Sequence, residues 1–245
     1  MQYMGGKSRT AGIIAGYLNM IREPGQPYWE PFVGAGWILE RIRGDGTNFA
    51  SDANPYLIAM WQALQAGWRP PRVVTEEAYQ AIKGAPDDYP PELVAFVGFG
   101  CSFGGKWFAG YARGDGRNWA SEGRKSILQK ASQIKRLDVC FYAADFLKVA
   151  PPAGRCLIYC DPPYEKKTGY GAVPEWNAGA FWEHVEILGD YGHTVVVSEY
   201  QAPAGFSEVA AQRTQTDLNT TNGKDPRVER LFRRGKHETL QPALF

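Results

Sequence analysis

The sequence predicts an α/β fold built on a parallel sheet, and three observations carry that expectation. Short apolar runs alternate with stretches of helical periodicity along the 245 residues. One run, Cys156 to Cys160, is continuously apolar, as a strand covered on both faces must be. A Gly-x-Gly turn, Gly34-Ala35-Gly36, follows one proposed strand and precedes a proposed helix. The length suits one large domain, or one domain with a lobe inserted into it.

Composition narrows the function classes. The formal net charge is +1, which excludes a chain basic throughout, so contact with nucleic acid has to come from local patches. The cysteines at 101, 140, 156 and 160 and the histidines at 184, 193 and 237 show no zinc-site spacing. No metal site is expected, and the thiols read as reduced. The N-terminal residues hold no apolar run of signal length, and no stretch approaches a membrane span. A cytoplasmic protein without membrane contact is the expectation, and no feature points to an obligate protein partner.

The elements follow in order. Gly5-Gly6-Lys7-Ser8 resembles part of a P-loop, but the further glycine of that motif would fall at Met1, so triphosphate hydrolysis is rejected. A glycine pair that brings backbone close to a ligand, followed by a lysine, stands beside the plainer reading of an N-terminal arm. Ile13, Ile14, Tyr17, Leu18 and Ile21 recur at helical spacing and predict a helix over 7–21. A strand is predicted over 27–33, a helix over 37–43, and a second strand over 47–51 ending at Asp52. An acidic side chain there is placed to grip ribose hydroxyls. Asn54 caps a helix over 54–67 with Pro55 in its first turn, and short helices are predicted over 75–83 and 91–97.

The stretch 98–119 differs in kind. It interleaves glycines and aromatics with Lys106, Arg113, Arg117 and Asn118, and residues 101–140 hold eight Lys/Arg against three Asp/Glu. That mixture suits contact with nucleic-acid backbone and bases; a hairpin whose aromatics cover the core is the competing reading. A helix over 121–136 follows, then a strand over 139–143 leading to Asp145-Phe146. After Cys156–Cys160 come a polar segment, 165–176, that suits a lid, a helix over 177–191, a strand over 193–197, a polar loop over 214–225 and a late strand over 228–233. Residues 224–236 carry six Lys/Arg and two Asp/Glu, either a second nucleic-acid patch or a solvated edge strand.

The chemistry concentrates at Asp161-Pro162-Pro163-Tyr164, at the carboxyl end of the buried strand, where open α/β sheets bind ligands. Asp161 offers a carboxylate acceptor. The two prolines stiffen the turn and leave the Pro162 carbonyl to accept. Tyr164 offers a flat aromatic face. Two acceptors beside a stacking surface suit an exocyclic amine on a planar base.

Four motifs in this order, Tyr3-Met4-Gly5-Gly6-Lys7, Glu30-Pro31-Phe32-Val33-Gly34-Ala35-Gly36, Ser51-Asp52-Ala53-Asn54 and Asp161-Pro162-Pro163-Tyr164, make the chain resemble the Dam-type DNA adenine-N6 methyltransferases. The resemblance reaches to Thr221-Asn222-Gly223-Lys224 and residues 227–232, nearly the whole chain. It implies a Rossmann-like, S-adenosylmethionine-dependent methyltransferase core (1–67 and 138–245) with a mixed sheet of mostly parallel strands, one strand antiparallel. A small, mostly helical target-recognition lobe (68–137) would be inserted into that core. It places Tyr3, Lys7, Phe32, Gly34, Gly36, Asp52, Asp145, Phe146 and Asp161 at the cofactor, and Asp161, Pro162, Pro163 and Tyr164 at the chemistry. Lys106, Arg113, Arg117, Asn118, Lys224 and Arg227 would meet double-stranded DNA. The target adenine would be flipped from the duplex, in a bacterial or phage-infected cell. An RNA adenine enzyme, a DNA cytosine-N4 enzyme and an inactive DNA-binding homologue are the rival readings. The target sequence is not legible.

Overall fold

The computed structural model of the chain describes residues 6–114, 116–163, 176–214 and 227–234. Seven strands form one sheet in the order β3-β2-β1-β4-β5-β7-β6. They are β1 (Tyr28–Glu30), β2 (Asn48–Asp52), β3 (Val139–Ala143), β4 (Leu157–Cys160), β5 (Thr194–Glu199), β6 (Phe206–Thr214) and β7 (Arg227–Arg234). Strands β1 to β5 are parallel, and β7 runs antiparallel to both β5 and β6. The sheet is therefore mixed, with the doubly wound order 3-2-1-4-5 at its centre.

Side chains alternate across a strand, and β1 shows what that does. Tyr28 joins one hydrophobic cluster, with Ala50, Phe141, Leu157 and Tyr159, while Trp29 joins the other, with Ile158, Cys160, Val195 and Val197. Both faces of the sheet are thus covered. The first cluster takes in α1 (Ala11–Ile21), α2 (Pro55–Gln65) and α5 (Trp119–Ile134); the second takes in α6 (Ala178–Asp190). Helix starts follow local chemistry: the Asn54, Asn118 and Asn177 side chains each accept an N–H of the first turn of α2, α5 and α6.

Between α2 and β3 the described chain holds no strand of the sheet. Helices α3 (Glu76–Gly84) and α4 (Pro91–Ala95) are followed by a π turn, Phe96–Gly100, and an isolated bridge between Ser102 and Tyr111.

Two expectations need correction. The helix over 37–43 is a single 3-10 turn, Leu39–Arg41, after which Ile42 turns extended. The chain must then wrap Arg22, whose guanidinium donates to the carbonyls of Arg43 and Gly46. Strand β6 was not among the predicted elements. Its Phe-Ser-Glu-Val-Ala-Ala pattern is interrupted by a bulge between Glu208 and Ala210, which breaks the period-2 alternation on which a strand is recognised.

Candidate active site

Parallel strands deliver their carboxyl ends to one edge of the sheet, and the connections from β1 and from β4 leave it in opposite directions. The crevice at that reversal is the expected ligand site. Pro31 to Ile38 enter it after β1, Asp52 ends β2, Asp145 follows β3, and Asp161-Pro162-Pro163 follow β4. Lys7, at the turn preceding α1, reaches the same place: its Nζ lies 2.6 Å from Asp161 Oδ1, with the lysine 6% and the aspartate 19% exposed. Residues 154 positions apart in the chain are thereby joined.

The glycine turn is tied to its neighbours. Gly34 (φ 46°) donates its N–H to Asp52 Oδ2 at 3.1 Å, and the Gly34 carbonyl accepts from Trp61 Nε1 at 3.0 Å. Asp52 Oδ1 also accepts the Asn54 N–H at 3.0 Å. Each carboxylate oxygen retains a lone pair for a hydroxyl donor. Burial raises the Asp52 carboxyl to about 6 against these two hydrogen bonds. Gly36 (φ 64°) answers to packing: a Cβ there would stand 2.9 Å from Trp61 and 3.2 Å from Ile134.

The structure thus brings together Lys7, Phe32, Gly34, Asp52, Asp161 and the prolines at the strand ends. Phe32 is half-buried, with its ring against Phe146, Trp176 and Phe181. Asp145 sits one loop away, accepting the Leu147 N–H and pairing with Lys148. Phe146 is packed differently from a stacking residue. It is 2% exposed, ringed by Trp29, Phe32, Phe181 and His184, and backs the wall that Phe32 presents. Tyr3, Tyr164 and Lys224 lie outside the described residues, as does the Arg227 side chain.

Two cations of the helical stretch are exposed but paired with carboxylates of the same stretch. Arg113 pairs with Glu76. Arg117 pairs with Glu122 and lies 4.0 Å over the Trp119 ring. Asn118 is the N-cap of α5, its Oδ1 accepting the Ser121 N–H. Three of the six expected DNA contacts, Arg113, Arg117 and Asn118, thus already have intramolecular partners, and the side-chain oxygen of Asn118 is committed to folding. Lys130, counted in the basic patch, is buried: its Nζ sits 3.0 Å from the Trp37 ring centre and 3.7 Å from Glu40. Burial lowers it to about 7. Lys106 is exposed. Most aromatics of 98–119 cover the core, Phe99, Trp107 and Phe108 packing on one another. Phe103 is the exception at 69% exposed, beside Gly104 and Lys106.

Two residues carry structural weight that the sequence did not assign. Glu30 lies inside a quoted motif, and its position as the last residue of β1 was a usable signal. Lys130 gave none, since a cation on a helix does not announce its burial.

No family model and no curated protein matches the chain. Among solved structures, a Listeria monocytogenes protein described as a class I S-adenosylmethionine-dependent methyltransferase matches over 98% of this chain and 64% of its own, at 10% identity and TM-score 0.44. The chain therefore spans under two thirds of that protein. The 23S rRNA methyltransferase ErmE matches over 99% of this chain and 72% of its own (12% identity, TM-score 0.41). A Clostridium thermocellum protein described as an rRNA methylase matches over 92% and 96% (10% identity, TM-score 0.40). Values this low carry no function from those proteins to this one. Among the described residues no helix is long and apolar enough to cross a membrane, and no cluster of ligating side chains could hold a metal ion.

Proposed function

We propose that this chain is an S-adenosylmethionine-dependent methyltransferase acting on the exocyclic N6 amine of adenine in DNA. The observation that supports it most is the meeting of Asp161-Pro162-Pro163 with Lys7, Gly34 and Asp52 at the reversal point of the sheet. The residues fit that cofactor. Asp52 has acceptor capacity for ribose hydroxyls, Gly34 brings bare backbone to the crevice, and Phe32 lines it with an aromatic edge. Bound there, the cofactor would supply an activated methyl group on a sulfonium.

The protein's own work is then to position. Asp161 is held by Lys7 through Oδ1; its carboxylate would accept one N–H of the substrate amine and the Pro162 carbonyl the other. These bonds draw the nitrogen lone pair out of ring conjugation and aim it for an in-line displacement. Asp161 also sets a negative charge where positive charge develops on nitrogen. An amine inside a duplex cannot reach the crevice, so the base must leave the stack. On this reading residues 68–137 form the target-recognition lobe, and Lys106 and Phe103 are its outward-facing contacts. Arg113 and Arg117 join only by exchanging carboxylate partners for phosphates.

Asp161→Ala tests the assignment. Methyl transfer should fall at least about a hundredfold while S-adenosylhomocysteine still binds by calorimetry. Transfer at the wild-type rate would contradict the role of Asp161.

A further inference from the structure

Lys130 has no part in the chemistry above, yet α5 carries it, 3% exposed, into the core beside the glycine turn. Among the described residues no hydrogen-bond partner reaches its Nζ. A buried ammonium without hydrogen bonds has lost its hydration, and a longer-range ion pair offsets that loss poorly. What the ammonium meets is the segment that follows the glycines. Its Nζ stands 3.0 Å from the centre of the Trp37 ring and 3.7 Å from Glu40 Oε1.

Both contacts lead back to Gly36. Trp37 is the next residue, and the Glu40 N–H donates to the Gly36 carbonyl at 3.2 Å. Arg41 encloses the same group from the other side. It donates to the Trp37 carbonyl at 2.8 Å, lies 5.9 Å from the Trp37 ring centre and pairs with Glu40. One turn further along α5, Ile134 stands 3.2 Å from where a Gly36 Cβ would be. Positions 130 and 134 share a helix face, so α5 presses on Gly36 with Ile134 and grips the chain beyond it with Lys130. Gly34, at the other end of the turn, is held by Asp52.

We propose that Lys130 is a positioning residue for the cofactor: its ammonium, seated on the Trp37 ring beside Glu40, fixes the shape of the turn Gly34-Ala35-Gly36. The inference rests on that turn being the cofactor site. A methionine at position 130 would fill similar space without desolvating a charge, but it would leave Trp37 and Glu40 held by Arg41 alone. Helix α5 starts in the stretch read as the target-recognition lobe, so the clamp is also where that stretch meets the glycine turn.

Calorimetry of the full chain with S-adenosylhomocysteine tests this at pH 6, where Lys130 is charged because burial lowers it only to about 7. Lys130→Met should bind about tenfold more weakly than wild type. Its urea midpoint should stay level or rise, because an apolar chain has replaced a desolvated charge. A side chain that only fills space would lose affinity and stability together. Trp37→Leu should weaken binding by a like factor and the double variant no further, since both changes remove one contact. In chains labelled with 5-fluorotryptophan, the Trp37 ¹⁹F resonance, assigned by its loss in Trp37→Leu, should move in Lys130→Met with no cofactor present. Wild-type affinity in Lys130→Met, single losses that multiply in the double variant, or an unmoved Trp37 resonance overturns the proposal. A wild-type chain that does not bind S-adenosylhomocysteine is a separate failure, which sinks the cofactor assignment and takes this proposal with it.

Discussion

The crevice at the ends of β1 and β4 and the helical stretch between α2 and β3 treat their polar residues in opposite ways. At the crevice, polar side chains drawn from distant segments converge: Lys7 meets Asp161, and Asp52 holds Gly34. In the helical stretch, polar side chains pair within the stretch itself. Arg117 meets Glu122 and Asn118 meets Ser121, close in sequence, and Arg113 meets Glu76 at the start of α3. Long-range convergence needs a scaffold that forces it, and a parallel sheet does so by sending every strand end to one edge. Pairs such as Arg117 with Glu122 or Asn118 with Ser121 need only a helix turn or a short loop. A motif at a strand end is therefore a stronger functional statement than a count of charges in a loop-rich segment.

That contrast can be broken from either side. The largest effect is expected at Gly36, where the crevice loop meets both α2 and α5. Gly36→Val would drive a side chain into Trp61 and Ile134 from a backbone at φ 64°. We expect a loss of about 2–4 kcal/mol, read by urea unfolding; a stability within the error of wild type would show that the loop is not pinned by packing.

Next is the pH dependence of stability. Glu30 is raised from 4.5 to about 8, so the native state holds a proton that the unfolded chain has released. Its contribution is fully present below about pH 4.5 and is lost as the pH rises to 8. Glu30→Gln, which has no proton to lose, should exceed the wild type by on the order of 3 kcal/mol at pH 9 and match it near pH 4. Parallel melting curves across that range would contradict the buried, neutral carboxyl. Asp52, raised from 3.8 to about 6, has the same sign over a lower window.

The smallest effects are expected in the helical stretch. Lys106→Ala should weaken nucleic-acid binding uniformly across sequences and lower the salt slope by about 1. Arg113→Ala should change binding less, because Glu76 already holds its guanidinium. A loss at Arg113 larger than at Lys106 would show that the Glu76 pair opens on binding.

Most of the sheet was legible from apolar runs and caps. Asn54 with Pro55, Val139 to Ala143 and the strand before Asp161 all fall where local chemistry places them. The convergence of Asp52, Asp161 and the glycines was legible for the same reason, because each ends a parallel strand. What resisted reading depends on tertiary contact. Lys130 looks like any solvated helix cation until Trp37 and Glu40 enclose it, and Phe146 looks like a stacking residue until Trp29 and Phe181 cover it. Strand β6 was hidden by its bulge. The turn Leu39–Arg41 replaced a helix because Arg22 draws the following chain away.

The most direct test of the central claim is to incubate the protein with labelled S-adenosylmethionine and unmethylated DNA or RNA, then digest to nucleosides. Label on N6 of deoxyadenosine, within a fixed short sequence, is the predicted result. Label on cytosine, label confined to RNA, or no label from a protein that still binds the cofactor would contradict it.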